Sequence, residues 1–499
     1  MLPRTIMTLG ENSMERQLHL NESDLNNVEF IQIRYTDVLG HFLAKYLFTE
    51  SEDIYDHLKR GVAVDGSSVK GFADIEESDL LLIPDKLTLR IPPIAPHYKV
   101  ATVIADVYEG FGAGRLAKDP RYVSQLVEER LAREGLVCQV GPEVECFIFD
   151  DIAFNGHDPE IVSDEQSGVG KYPIRKKGGY DAPPAQDSLL ELRFEVADIL
   201  KKYYYIKATN LNHEVASNGQ IEINFMHSAL TIAADSVQLY KDVVRNVAKE
   251  HNKVANFMPK PIFDENDPRG GDNGSGMHTS ISLWTRSQPQ QQPSLSSSSS
   301  SLSNNISLFY DANDSYAELS QTGRYFVGGV LDHARSLAAI VAPTVNSYRR
   351  MVPGFEAPVY IAWSKGNRSA VIRVPVNERN NAKSKRIEFR APDPSANPYL
   401  AFSAIVAAGL DGIKNKIDPG SPINENIYKM SDAARSSLGI KSLPGSLEQS
   451  LEELISDSGY LKPYFHSQLI DTFLMLKENE IAEVGNGSKR SQFALYYDT

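Results

Sequence analysis

GPEVECFIFD, residues 141–150, is a run of β-prone residues in which Glu143 and Glu145 stand two apart. Side chains alternate between the two faces of a strand, so this spacing puts both carboxylates on one face. Two carboxylates aimed the same way repel one another unless a cation sits between them. An exposed polar face would also tolerate them, but Cys146, Ile148 and Phe149 mark the run as interior. The pattern recurs in HEVASNGQIE (213–222), where Asn218-Gly219 is a hairpin turn signal. Glu214 and Glu222 then lie on opposite arms at matching parity and are expected to converge across the ladder. Apolar Val215, Ile221, Ile223 and Phe225 make this hairpin interior as well.

Three more segments add complementary chemistry. NGSGMH (273–278) is a glycine-interrupted loop running into a strand over Thr279 to Trp284, and small residues let backbone approach a ligand closely. His278 could ligate a metal, although a lone histidine is more often a satisfied core residue. SKRIEFR (384–390) alternates Arg386, Glu388 and Arg390 on one strand face: guanidinium forks for phosphate, a carboxylate for an ion. Arg350 and Glu356 lie in YRRMVPGFEAP (348–358), and Arg368 and Arg373 in NRSAVIR (367–373). Glutamates in number, one histidine and several arginines select hard Mg²⁺ or Mn²⁺ and imply phosphoryl transfer. The residues thus point to a two-metal, nucleotide-using enzyme and leave the acceptor open.

The rest of the chain sets the frame. From Val28 to Asp106 the pattern favours strands around an Asp37 to Gly40 turn, with LTLRIPPIAP and VATVIADVY as further β-rich runs and one helix near Asp53 to Lys59. Asp119-Pro120 opens a helix that closes on Gly135, and longer helices are expected over Asp235 to Phe257, Tyr325 to Ala342 and Pro398 to Asn415. The fold class is therefore α+β. The expected division is a tail over 1–24, a small domain over 25–112 and a catalytic domain over 113–499, with a disordered Ser/Gln-rich insertion at 286–305. Among 499 residues, 51 basic and 65 acidic side chains give a formal charge of −14, which argues against nucleic acid as a partner. Two cysteines exclude a disulfide scaffold. No signal peptide is evident, and the longest apolar run, Tyr399 to Leu410, is too short to span a membrane, so the expected address is the cytoplasm.

Nine segments in this order, including VDGSSVKGFADIEESDLLLIPD (64–85), KKGGYDAPPAQD (176–187), FMPKP (257–261) and RIEFRAPDPSANPYLAF (386–402), resemble the glutamine synthetase family, type I class. The resemblance implies a β-grasp-like N-terminal domain and a catalytic domain built on a curved antiparallel sheet surrounded by helices. It also implies a homododecamer of two stacked hexameric rings, each active site lying between neighbouring subunits. Glu145, Glu214 and Glu222 would hold one metal, and Glu143, His278 and Glu388 the other. Arg350, Arg368 and Arg390, with Asn273 and Gly274, would orient glutamate, Glu145 lying beside it. His227, Ser282, Arg373, Lys383 and Arg386 would bind ATP, His227 standing where an aromatic ring usually stacks on adenine. Ammonium would dock against Asp65 and Ser68 of the adjacent subunit, and Glu356 would shield the acyl phosphate. The implied reaction is ATP-dependent ligation of ammonia to glutamate through γ-glutamyl phosphate. A γ-glutamyl ligase for an organic amine, or an inactive structural homologue, are the alternatives; Asp65 together with Glu356 favours ammonia.

Overall fold

The computed structural model describes residues 25, 27–49, 54–95, 97–155, 158–162, 174–175, 177–216, 219–267, 270–286, 305–353, 357–376, 378–485 and 487–499. The tail over 1–24, nearly all of the Ser/Gln-rich segment and Glu356 lie outside the described residues.

The first 108 residues contain β1 (Phe30–Thr36), β2 (Phe42–Phe48), α1 (Ile54–Arg60), β3 (Val62–Asp65), β4 (Asp79–Pro84) and β5 (Val100–Tyr108). The five strands form one sheet in the order β2-β1-β5-β4-β3, with β1 parallel to β5 and the other pairs antiparallel. The turn between β1 and β2 closes as expected, because the Asp37 carboxylate accepts from the backbone N–H of Gly40 and His41, both at 2.8 Å. Gly40 sits at φ +101°, a conformation glycine adopts without a steric penalty. Among its described residues, 87–95, LTLRIPPIAP does not form a strand: an Asp85-capped turn spans Lys86–Thr88, and only Arg90 bridges to the sheet. Pro92 and Pro93 have no N–H to offer a ladder.

The larger part begins with α2 (Pro120–Arg133), which has Asp119 as its N-cap and proline at N1. Its strands are β6 (Leu136–Phe149), β7 (Asp151–Asn155), β8 (Asp158–Val162), β9 (Ala208–His213), β10 (Gln220–Phe225), β11 (Ser228–Ala229), β12 (Val254–Asn256), β13 (Met277–Thr285), β14 (Tyr360–Lys365), β15 (Ala370–Val374), β16 (Ile387–Phe389) and β17 (Lys441–Ser442). Around them pack α3 (Leu190–Tyr204), α4 (Leu230–Glu250), α5 (Gln321–Asp332), α6 (Ala334–Val341), α7 (Ser347–Arg350), α8 (Pro398–Asn415), α9 (Asp432–Ser437), α10 (Leu447–Ser456), α11 (Ser467–Val484) and α12 (Lys489–Tyr496). The main sheet runs β17-β14-β15-β16-β13-β6-β10-β9, with β11 and β12 also pairing to β6. It is antiparallel except between β14 and β15. The apolar run 399–410 forms the core of α8, buried continuously from Pro398 to Gly409.

Two expected helices differ from the structure. The one over 235–257 starts at Leu230 and stops at Glu250, after which residues 254–256 join the sheet as β12. The one over 325–342 breaks at His333, whose ring bonds Asp457 at 2.8 Å and Asp411 at 3.2 Å.

The two sheets are locked together by buried polar contacts. Asn397 donates to the carbonyls of Asp37 and Val38, and Gln238 donates to Thr36 and to the Gly40 carbonyl. Arg121, 2% exposed, pairs with Asp85 at 2.6 Å, with Asp235 at 3.1 Å and with Asp106. A lone buried charge is costly, so this guanidinium and its carboxylates hold their elements in one arrangement.

Candidate active site

The register of the main sheet assembles the site. Glu222 on β10 lies opposite Glu145 on β6, Glu143 opposite His278 on β13, Ser280 opposite Glu388 on β16, and Glu388 opposite Arg373 on β15. One row of charged side chains therefore crosses five strands. Glu143, His278 and Glu388 come together, each offering a ligand atom within 4.8 Å of the others. Nδ1 of His278 is 3.9 Å from Oε2 of Glu143.

The electrostatics fit a cation at this point. Burial, then Glu388 and Glu222, raise the Glu143 carboxyl to about 8. Burial raises Glu145 to about 7, against the pull of the Gly276 N–H and of Arg350 and Arg390. Burial and Glu145 raise Glu222 to about 7, although Asn212 and Asn224 donate to it. Glu388 is also buried, but Arg390 and Arg373 outweigh that and hold it below the ordinary range. Arg390 donates to Oε1 of Glu388 at 2.8 Å and Arg373 to Oε2 at 2.8 Å. His278 is pushed well below its usual value by burial and by Arg390, Arg350, Arg373 and Arg368. A neutral imidazole keeps a lone pair for a metal, and carboxylates that resist ionising together are what a divalent ion relieves. The donor set therefore fits a hard divalent cation.

The remaining expected residues fall into three groups. Arg350 is 4% exposed and donates to the carbonyls of Ala391 at 2.9 Å and Arg390 at 3.2 Å. It backs directly on the glycine loop: a Cβ on Gly274 would lie 2.9 Å from Cγ of Arg350, and one on Gly276 2.7 Å from its NH2. Asn273, through its own N–H, bonds the Asp272 carboxylate. Further along β6 and β13, where Ser280 faces Gly141 and Ser282 faces Gln139, His227 bonds Gln139 at 3.1 Å, Arg386 donates to Ser280 at 3.3 Å, and Ser282 accepts from Trp284 at 2.9 Å. Arg373, expected at the nucleotide, is joined here to Glu388. Lys383 is exposed on a turn over Ala382–Ser384.

Others stand outside this row. Arg368 is exposed and lines an open cleft of about 580 Å³ together with Asn424 and Tyr428. Asp65 is exposed; its carboxylate accepts from Ser67 N–H at 3.0 Å and from the hydroxyls of Ser67 and Ser68 at 2.7 Å. Those bonds hold it below the ordinary carboxylate range. Glu214 is not directly opposite Glu222, whose cross-strand neighbour is Asn212. It lies one diagonal further along, its N–H bonding the Gln220 carbonyl, because the ladder ends at His213. Glu214, Glu222 and Arg368 all act electrostatically on Tyr180.

Several supporting residues were missed in the sequence. Gln220 donates to Glu145 and to the Gly274 carbonyl, both at 3.0 Å, tying the hairpin to the glycine loop. Asn212 and Asn224 orient Glu222 at 3.0 and 3.3 Å. Each of the three stands two positions from Glu214 or Glu222, so strand parity alone carried the signal.

A small mixed sheet docked on a curved sheet whose strands carry a Glu/His/Arg row is the architecture of a metal- and nucleotide-dependent ligase. The glutamine synthetase catalytic domain matches residues 117–496, and the glutamine synthetase β-grasp domain matches residues 27–110. A glutamine synthetase of Sulfolobus acidocaldarius is 45% identical over 464 residues, covering 91% of this chain and 92% of that protein. One of Streptomyces filamentosus is 39% identical over 493 residues, covering 95% and 97%. Among solved structures, a Plasmodium falciparum glutamine synthetase superposes with a TM-score of 0.78 at 26% identity, covering 96% and 97%. The chain belongs to the glutamine synthetase family, whose members use ATP and divalent metals. No helix among the described residues is long and apolar enough to cross a membrane.

Proposed function

We propose that the row from Glu222 to Arg373 is the catalytic centre of glutamine synthesis, with at least two Mg²⁺ or Mn²⁺ ions per site. The chain is a glutamate–ammonia ligase, consuming glutamate, ammonia and ATP. The observation that carries the site assignment is the convergence of Glu143, His278 and Glu388 within 4.8 Å, flanked by Arg373 and Arg390. These three residues would hold one ion, and Glu145 and Glu222, with Glu214 nearby, the other. Bound there, the ions supply charge neutralisation for the transferring phosphoryl group.

The protein's own groups do the rest. Arg350, Arg390 and the Asn273–Gly274 backbone hold glutamate so that its γ-carboxylate meets the terminal phosphate of ATP in line. Arg368 stabilises charge on that phosphoryl group as γ-glutamyl phosphate and ADP form. His227, Ser282, Lys383 and Arg386 bind the nucleotide. Asp65, kept anionic by Ser67 and Ser68, attracts ammonium and takes its proton as the nitrogen displaces phosphate. Glu356 keeps water from the acyl phosphate. Following the resemblance to the family, we assign Asp65, which is exposed on its own chain, to a neighbouring subunit's site in stacked hexameric rings.

Phosphate release measured with glutamate, ATP and Mg²⁺ should depend on ammonium, and not on putrescine, ethanolamine or methylamine. Turnover with an organic amine alone would overturn the assignment. Asp65→Ala should raise the KM for ammonium and spare ATP binding; unchanged ammonium kinetics would remove its role.

A further inference from the structure

Helix α12 reaches the glutamate side of the site through one buried side-chain pair. Gln492 is fully buried; its Nε2 donates to the Gly487 carbonyl at 2.6 Å and its Oε1 accepts from Nδ2 of Asn346 at 3.1 Å. Asn346, equally buried, uses its other N–H on the Lys260 carbonyl at 3.0 Å and accepts from the Lys260 N–H at 2.7 Å. One side-chain amide thus pairs with both backbone groups of Lys260, as a neighbouring strand would.

Both ends of this connection lead to groups assigned to glutamate. Asn346 immediately precedes α7, which ends in Arg350. Beside Lys260, the Pro259 carbonyl accepts from the Ser275 N–H at 2.7 Å, and a Cβ on Gly274 would lie 2.6 Å from that oxygen. Arg350 and the 273–276 loop are therefore referenced to the same buried amide. Gln492 fixes which way that amide faces. Around it, the Tyr496 hydroxyl accepts from the Val345 N–H at 3.4 Å and Arg349 donates to the Gly487 carbonyl at 3.0 Å. The nucleotide-side residues His227, Arg386 and Ser282 bond instead to Gln139, Ser280 and Trp284.

We propose that Gln492 is a positioning residue for glutamate, acting through Asn346 to set the distance between Arg350 and the 273–276 loop. This rests on the reading that those two elements orient glutamate.

The test is steady-state kinetics on the full chain with each substrate varied. Gln492→Leu removes the acceptor and leaves a buried N–H unpaired, so the KM for glutamate should rise about tenfold while the KM for ATP stays within about twofold. Gln492→Asn, which withdraws the amide by one methylene, should give the same split in milder form. If Gln492 acts through Asn346, combining Gln492→Leu with Asn346→Leu should raise the glutamate KM no further than Asn346→Leu alone. Phe493→Leu, which loosens the same helix without touching the polar chain, should lower Tm and leave both KM values unchanged. The proposal falls if Gln492→Leu leaves the glutamate KM unchanged, if both KM values rise together, or if the two substitutions are additive. Arg350→Gln separates the underlying reading: an unchanged glutamate KM there would remove the premise.

Discussion

Gly276→Ala is the smallest change that should disable the site. A Cβ there would stand 2.7 Å from NH2 of Arg350 and 2.9 Å from Nε2 of His278. An unstrained contact is about 3.5 Å, so the two groups would have to retreat by roughly 0.6 to 0.8 Å. A free arginine tip would swing aside. Arg350 is not free, because both ends of its guanidinium are bonded to the carbonyls of Ala391 and Arg390. Nor does the loop yield readily, since the Gly276 N–H donates to Glu145 at 2.9 Å and its carbonyl accepts from the Glu145 N–H at 3.0 Å. Gly276 is not in the left-handed backbone region, so alanine adds no dihedral strain that would confuse the result. Misplacing a reacting group by about 1 Å costs on the order of a hundredfold, or about 2.7 kcal/mol of barrier. The assay is kcat/KM for ammonium-dependent glutamine formation, beside Tm and Mn²⁺ affinity. Activity within about threefold of the parent would refute the claim that this loop fixes Arg350 and His278.

Two further outcomes follow from the charges. A carboxyl whose folded value lies above its unfolded one holds a proton that the unfolded chain has already released. Without metal, stability should therefore fall as pH rises from the ordinary carboxylate range through about 7 for Glu145 and Glu222 and about 8 for Glu143. Saturating Mg²⁺ relieves that repulsion, so its thermal stabilisation should be larger at about pH 8 than at about pH 5.5; equal shifts would sink the idea. Arg121→Met removes the cation shared by Asp85, Asp106 and Asp235, although Asp106 keeps Arg115 and Asp235 keeps the Tyr399 hydroxyl, and should cost about 3–5 kcal/mol by denaturant unfolding, whereas a loss below about 1 kcal/mol would show that the cluster is not holding the two sheets together.

Much of the site was legible because strand parity is a rigid rule. Glu143 and Glu145 two apart, and Arg386, Glu388 and Arg390 in alternation, could only share a face once the segments were strands. The registry between strands was not legible. That Glu143 meets His278, and that Arg373 grips Glu388 at what was expected to be the nucleotide end, depends on pairings of residues over 100 apart or across irregular turns. The hairpin at Gly219 was recognised, yet its register pairs Ile221 with His213, which sets Glu222 against Asn212 and leaves Glu214 bonded to Gln220. The helix break at His333 had no local breaker residue. Its cause is tertiary, two carboxylates from α8 and the end of α10 gripping one ring.

The buried amide of Asn397 bonds the carbonyls of the Asp37 turn across 360 residues of sequence. A chain made at about 5–20 residues per second would expose that turn for roughly 20 to 70 s before its partner is synthesised. The β1 strand beside it carries Gln32 and Arg34, whose side chains are covered in the finished fold. A nascent chain stalled between those two positions therefore presents the Asp37 turn without its Asn397 partner, and Arg34 without the Asp242 carboxylate until residue 242 has been made.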